Sequence, residues 1–149
     1  MKKSIYSDEF EDFGQESWTG GAYTYDLPSG LSLSSSVYVL RPGKTSGLFH
    51  YHHGTEEMLI MIKGTPLLKS HDQTRRLGEG EVVAFGIGPE SVHQVINDTS
   101  EDVRMIFVGY ETSPDAVEYP EEGLISIMAK TKSQTGDYLW DIREVKENK

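Results

Sequence analysis

Leu48-Phe49-His50-Tyr51-His52-His53-Gly54-Thr55-Glu56-Glu57, running on through residues 58–63 to Gly64, decides the fold. His50 and His52 are separated by one residue. In a β-strand, residues i and i+2 point to the same face, so the two imidazoles stand side by side. His53-Gly54-Thr55-Glu56 is polar and holds a glycine, the composition of a tight connection. Residues 57–63 then resume as an apolar run, a second strand folded back on the first. That hairpin brings the Glu57 carboxylate to the two histidines. Two imidazoles and a carboxylate at one point make a partial metal site. An H-x-H pair alone is a weak signal, because histidines also cluster on solvated strands and turns.

The whole chain narrows the options. Its 149 residues suit one domain with a proper core. It has no cysteine, which excludes disulfides, zinc-thiolate sites and a cysteine nucleophile. The formal net charge is −10, a surface that repels nucleic acid and anionic membrane. Lys2-Lys3 is not followed by an apolar h-region, and no stretch has the length of a transmembrane helix. The expectation is a soluble, cytoplasmic protein with no nucleic-acid or membrane partner.

Outward from the organising stretch, short strands follow one another. Residues 31–40 alternate Leu31, Leu33, Val37 and Val39 with Ser32, Ser34, Ser36 and Tyr38. In residues 57–62, Glu57, Leu59 and Met61 share one face and Met58, Ile60 and Ile62 the other. Both faces are apolar, so both call for a cover. Residues 64–77 read as a short hairpin with the solvent-facing His71 in its turn. Residues 81–85, 93–97 and 103–110 are further strands, and residues 124–129 one more. Tyr138, Ile142 and Val145 lie at i, i+4 and i+7, which predicts a short helix over residues 137–145. Residues 1–22 form a polar arm whose Phe10, Phe13 and Trp18 call for a docking surface. The divisions are therefore an arm over 1–22, a β domain over 23–112 and a covering extension over 113–149. No repeat is visible. Short strands between regular turns indicate an all-β barrel or double-sheet sandwich.

A second stretch completes the pattern: Gly80, then Gly86-Ile87-Gly88-Pro89, then His93, then Asn97. With the first stretch it resembles the cupin superfamily. Its first motif is G-x5-H-x-H-x3,4-E-x6-G, and its second is G-x5-P-x-G-x2-H-x3-N. Here the first runs H-x-H-x4-E-x6-G over His50, His52, Glu57 and Gly64. There are departures. Lys44 takes the first glycine position, with Gly43 one place off. Gly86 replaces the proline. The strict histidine position is Ser91, with His93 two residues later. His93 is preferred because H-x3-N is intact from His93 to Asn97 and a Gly/Pro loop absorbs insertions cheaply. Glu56 competes with Glu57, and the spacing to Gly64 favours Glu57. His53 falls on the other face or in the turn.

The resemblance implies a single-domain double-stranded β-helix, a jelly-roll barrel, in which His50, His52, Glu57 and His93 bind one divalent metal. Three imidazoles and a carboxylate leave about two octahedral positions open, and suit Mn, Fe, Ni, Co or Zn. By strand parity Leu48, Leu59, Met61, Val95 and Asn97 share the ligand face and are the expected pocket lining. An isomerase needs a protein acid or base beside the metal. Tyr38 serves only if its strand faces inward there. Dioxygenase chemistry needs fewer protein groups. No inward basic cluster is visible to clamp a phosphate. The readings are a metal-dependent dioxygenase or isomerase/lyase, or a non-catalytic module whose metal anchors a small-molecule ligand. The apolar outer faces of residues 58–62 and 103–110 predict a homodimer.

Overall fold

In a computed structural model of the chain, residues 4–10, 20–30 and 32–146 are described. Alternating side chains run there as twelve strands, interrupted by one 3-10 turn at Pro89–Ser91. In order they are β1 Tyr23–Asp26, β2 Leu33–Leu40, β3 Tyr51–His52, β4 Thr55–Lys63, β5 Leu67–Ser70 and β6 Thr74–Arg76. The second half holds β7 Val82–Phe85, β8 His93–Ile96, β9 Val103–Glu111, β10 Asp115–Tyr119, β11 Leu124–Lys132 and β12 Tyr138–Glu144. The protein is all-β. Among the described residues, no helix is long and apolar enough to cross a membrane.

The strands form antiparallel sheets in the orders β1-β2-β9-β4-β7, β12-β11-β10-β3 and β6-β5-β8. Turn chemistry fixes the hairpin ends. Gly64 closes β4 with a φ of 91°, and a Cβ there would lie 2.9 Å from Val103 Cγ2, so glycine alone fits. The second and third sheets meet at one bridge. His50 N–H donates to His93 O at 3.2 Å, and His93 N–H donates to His50 O at 2.9 Å. Two of the residues singled out in the sequence are thus paired through their backbones before any side chain acts.

The main core contains Leu40, Leu59, Met61, Leu68, Leu77, Phe85, Val95, Val103, Met105 and Phe107. Leu59 is wholly buried, and truncation to alanine there costs about 2–5 kcal/mol. A second cluster, Tyr25, Val37, Val39 and Ile106, covers the other face of the five-stranded sheet together with Ile5, Phe10, Ile60 and Ile62. β2 therefore has two faces of different character. Val37 and Val39 pack outward, while Tyr38 turns into the main core, its ring 5.0 Å from Phe107.

The arm behaves as its aromatic content suggests where it is described. Phe10 meets Tyr23 at 5.4 Å and Tyr25 at 5.9 Å between ring centres. Arg104 anchors the same segment by donating to the carbonyls of Ile5 and Ser7. Phe13 and Trp18 lie outside the described residues. The chain's own arm thus covers part of the outer face. Leu33, Met58, Val82 and Tyr110 of that sheet stay exposed.

The C-terminal segment differs from the expected helix. Tyr138–Glu144 is a strand paired with β11, in register Leu124↔Glu144 to Met128↔Trp140. The i, i+4, i+7 spacing is genuine, but an adjacent unpaired strand edge offers a full hydrogen-bond ladder, and tertiary pairing overrides so weak a local preference. The extension also does more than cover. β10 pairs with β3 through Val117↔His52 and Glu118↔Tyr51, so it joins the sheet that carries His52.

Candidate metal centre

His50, just before β3, joins residues of β3, β4 and β8 to bring the candidate ligands together. His50, His52 and Glu57 each offer a ligand atom, all within 4.8 Å of one another. His93 joins through its neighbours. Its Nε2 lies 3.2 Å from Glu57 Oε2, and its ring centre 4.8 Å from that of His50. His52 Nε2 is 3.4 Å from the same Glu57 oxygen. Phe85 stacks on His93 at 3.7 Å and 8°, which holds the imidazole plane.

The outward nitrogens explain which atoms face the centre. His50 Nδ1 donates to Leu48 O at 2.7 Å, and His93 Nδ1 donates to Ser91 O at 2.9 Å. A carbonyl only accepts, so each Nδ1 carries the hydrogen and each neutral ring turns a bare Nε2 lone pair inward. His52 Nδ1 meets Asp115 Oδ2 at 2.7 Å. Asp115 also accepts from Thr55 Oγ1 at 2.7 Å and Gly54 N at 2.9 Å. Three donors converge on one carboxylate, which suits an ionised, acceptor-only group and fixes His52 in the same tautomer.

Glu57 Oε2 and His93 Nε2 are buried, and neither makes a hydrogen bond. Two buried lone-pair atoms facing each other at 3.2 Å repel unless a cation lies between them. The residues present therefore fit a divalent ion.

The electrostatics agree. Burial, reinforced by the neighbouring His93, pulls His50 down to about 4, so it stays neutral and available. Burial acts on His52 in the same direction, but Asp115 and Glu57 outweigh it and push that residue up to about 9. Burial would raise Glu57, yet the neighbouring His52 outweighs it and holds its carboxyl far below the usual range. Without an ion, a proton on His52 balances Glu57, and an ion would displace that proton.

A cavity of about 240 Å³ opens at Glu57. It is bordered by Asp26, Ser34, Ser36, Tyr38, Phe107 and Glu111, among others. Gly109 leaves room beside Ser34, since a Cβ there would sit 2.7 Å from Ser34 Oγ. Burial first, and then the negative Glu57, push the Tyr38 hydroxyl above the ordinary tyrosine range, so it stands as a protonated phenol.

The expected lining residues take other places. Leu59, Met61 and Val95 are in the main core. Asn97 is buried in the turn after β8, where its amide donates to Leu40 O and Glu101 O and its oxygen accepts from Thr99. Leu48 is half-buried and contributes the carbonyl that orients His50. Parity placed these side chains on the correct face but did not say how deep along the strand the cavity reaches. Glu56 is exposed, opposite in direction to Glu57. His53 is on the surface beside Glu118 at 3.2 Å, and His71 is exposed at its turn. Ser91 lends His93 its carbonyl. Asp115 was not singled out from the sequence. It lies 63 positions from His52, and an aspartate at the start of a late strand carries no local sign of such a contact.

Residues 36–109 match the family described as the cupin domain. The chain belongs to the cupin superfamily. Among solved structures it is similar to a sugar phosphate isomerase of that superfamily from Silicibacter pomeroyi, with 20% identity, 85% of this chain and 78% of that chain covered, and a TM-score of 0.73. It is also similar to a Cupin 2 conserved barrel domain protein from Salinispora arenicola, with 28% identity, 62% and 78% coverage and a TM-score of 0.52. A third likeness is to a predicted oxalate decarboxylase from Thermotoga maritima, with 18% identity, 61% and 81% coverage and a TM-score of 0.54. No curated protein sequence matches the chain.

Proposed function

We propose that this cupin is a metal-dependent enzyme that moves a proton on a small hydroxylated carbonyl compound, within the isomerase or lyase classes. The observation that carries the reading is Tyr38, which borders the same cavity as Glu57. It is the protein acid that a metal-polarised isomerisation needs and that the pattern of the strand left open. His50, His52, Glu57 and His93 would hold one ion of Mn, Fe, Ni, Co or Zn. Such an ion supplies Lewis acidity toward a carbonyl or hydroxyl oxygen. Tyr38, held as a phenol, would give its proton to the substrate oxygen and recover it, while a carboxylate of the same cavity, Asp26 or Glu111, would take the proton from the neighbouring carbon and return it to the adjacent one. Phe107 forms an apolar wall and limits water at the reacting atoms. That one structural neighbour is named an isomerase and another a predicted decarboxylase supports a proton- or bond-moving role over oxygen activation.

The test has two readouts. Metal content is measured in protein purified without added metal. Exchange of substrate carbon-bound protons in heavy water is then followed by NMR across a panel of aldoses and ketoses. Tyr38→Phe is expected to lower turnover by about 10²–10⁴-fold with metal content unchanged. Substrate-dependent oxygen uptake with iron would instead establish a dioxygenase. A loaded metal with neither activity would establish the binding module.

A further inference from the structure

We infer that the cavity takes an uncharged polyhydroxy ligand, of the size of a monosaccharide, and rejects its phosphate ester. The inference rests on the reading of this site as a small-molecule pocket beside a metal, and adds the class of ligand. Among the described residues that line the cavity there are three carboxylates, Asp26, Glu57 and Glu111, and no Lys or Arg. A phosphate dianion can only accept hydrogen bonds, as can the carboxylates. Phosphates are ordinarily held by Arg forks, Lys or helix N-termini. The one 3-10 turn among the described residues, Pro89–Ser91, is too short to serve. Arginines that could clamp an anion are committed elsewhere, Arg75 to Glu81, Arg76 to Asp98 and Arg104 to Asp8.

Hydroxyl groups suit the same wall. Ser34 Oγ and Tyr38 Oη border the cavity and make no hydrogen bond among the described residues. Each can donate to a ligand oxygen. Asp26 accepts from Ser36 at 2.7 Å and keeps its negative charge, Glu111 is paired with Lys130, and oxygen lone pairs remain on both. A ligand hydroxyl donates to a carboxylate and accepts from Ser34 or Tyr38 at once. An ammonium group would use the carboxylates but leave the free hydroxyl donors unmatched. The volume of about 240 Å³ equals about eight waters at ~30 Å³ each, room for one five- or six-carbon polyol.

The test uses the full chain loaded with Mn²⁺ and a panel of aldoses, each with its terminal phosphate ester and its amino analogue. Paramagnetic broadening of ligand protons reports binding near the ion. At least one aldose is expected to bind, with its phosphate ester weaker by about tenfold or more. Asp26→Asn and Glu111→Gln are expected to narrow that gap. A phosphate ester or an amino sugar that binds as tightly as its parent would overturn the inference, as would absence of binding by every aldose. Failure of the metal reading shows itself separately, as Mn²⁺ content well below one per chain before any ligand is added. In that case the same panel is scored by saturation-transfer NMR, which needs no metal, and the same ranking decides.

Discussion

Asp115→Asn is a nearly isosteric change with a definite consequence. The parent carboxylate accepts from His52 Nδ1, Thr55 Oγ1 and Gly54 N. An amide has one oxygen. If its NH2 faces Gly54, two donors oppose each other, which leaves a buried group unsatisfied at a cost of about 1–3 kcal/mol. If its NH2 faces His52, Nδ1 must become the acceptor. The hydrogen then moves to Nε2, the atom 3.4 Å from Glu57 that would ligate the ion. Either arrangement weakens the site. Losses behind a ligating histidine cost about 10–100-fold in metal affinity, or about 1.4–2.7 kcal/mol. Competition against a metallochromic chelator measures the affinity, and histidine ¹⁵N shifts identify which nitrogen holds the hydrogen. The unfolding midpoint separates this effect from general damage. Parent-like affinity in Asp115→Asn, with an unchanged His52 tautomer, would refute the reasoning.

His93→Ala should lose metal by orders of magnitude, while Ser91→Ala, which keeps the orienting carbonyl, should hold it near the parent level; elemental analysis of variants prepared in parallel decides. Metal affinity should rise with pH by up to about tenfold per unit and level off near pH 9, because the ion must displace the His52 proton; affinity flat between pH 7 and 9 would count against His52 as a ligand. Metal-free protein should be most stable near pH ~6.5. His52, raised on folding, contributes stability that fades as pH rises toward about 9, and His50, lowered on folding, contributes stability that fades as pH falls toward about 4; denaturant melts across pH test both arms. The exposed Leu33, Met58, Val82 and Tyr110 should pair two copies of the chain, and a monomer mass in sedimentation at micromolar concentration would dismiss that dimer.

Much of the site was legible because strand parity is a strict rule. His50 and His52 had to share a face, Glu56 and Glu57 had to oppose each other, and the intact spacing from His93 to Asn97 located the third imidazole despite the displaced register. What parity cannot give is depth or distance. It put Leu59, Met61 and Val95 on the ligand side without revealing that they lie in the core below the cavity. It left Tyr38 undecided because β2 has small or apolar residues on both faces. The strand at Tyr138–Glu144 was read as a helix because its spacing satisfies one, and only the pairing with β11 decides otherwise. Asp115 was illegible for the same reason, since a contact across 63 residues leaves no local trace.

β2 divides its work between alternate positions. Val37 and Val39 grip the outer cluster, whereas Ser34, Ser36 and Tyr38 meet the cavity. Cohesion and chemistry are thus written on interleaved letters of one short segment. Changes at positions 34 and 36 can redraw what the protein accepts while the outer cluster stays intact. A set of variants confined to those two positions would sample new ligand preferences at little risk to folding, and descent from a common ancestor could travel the same route one residue at a time.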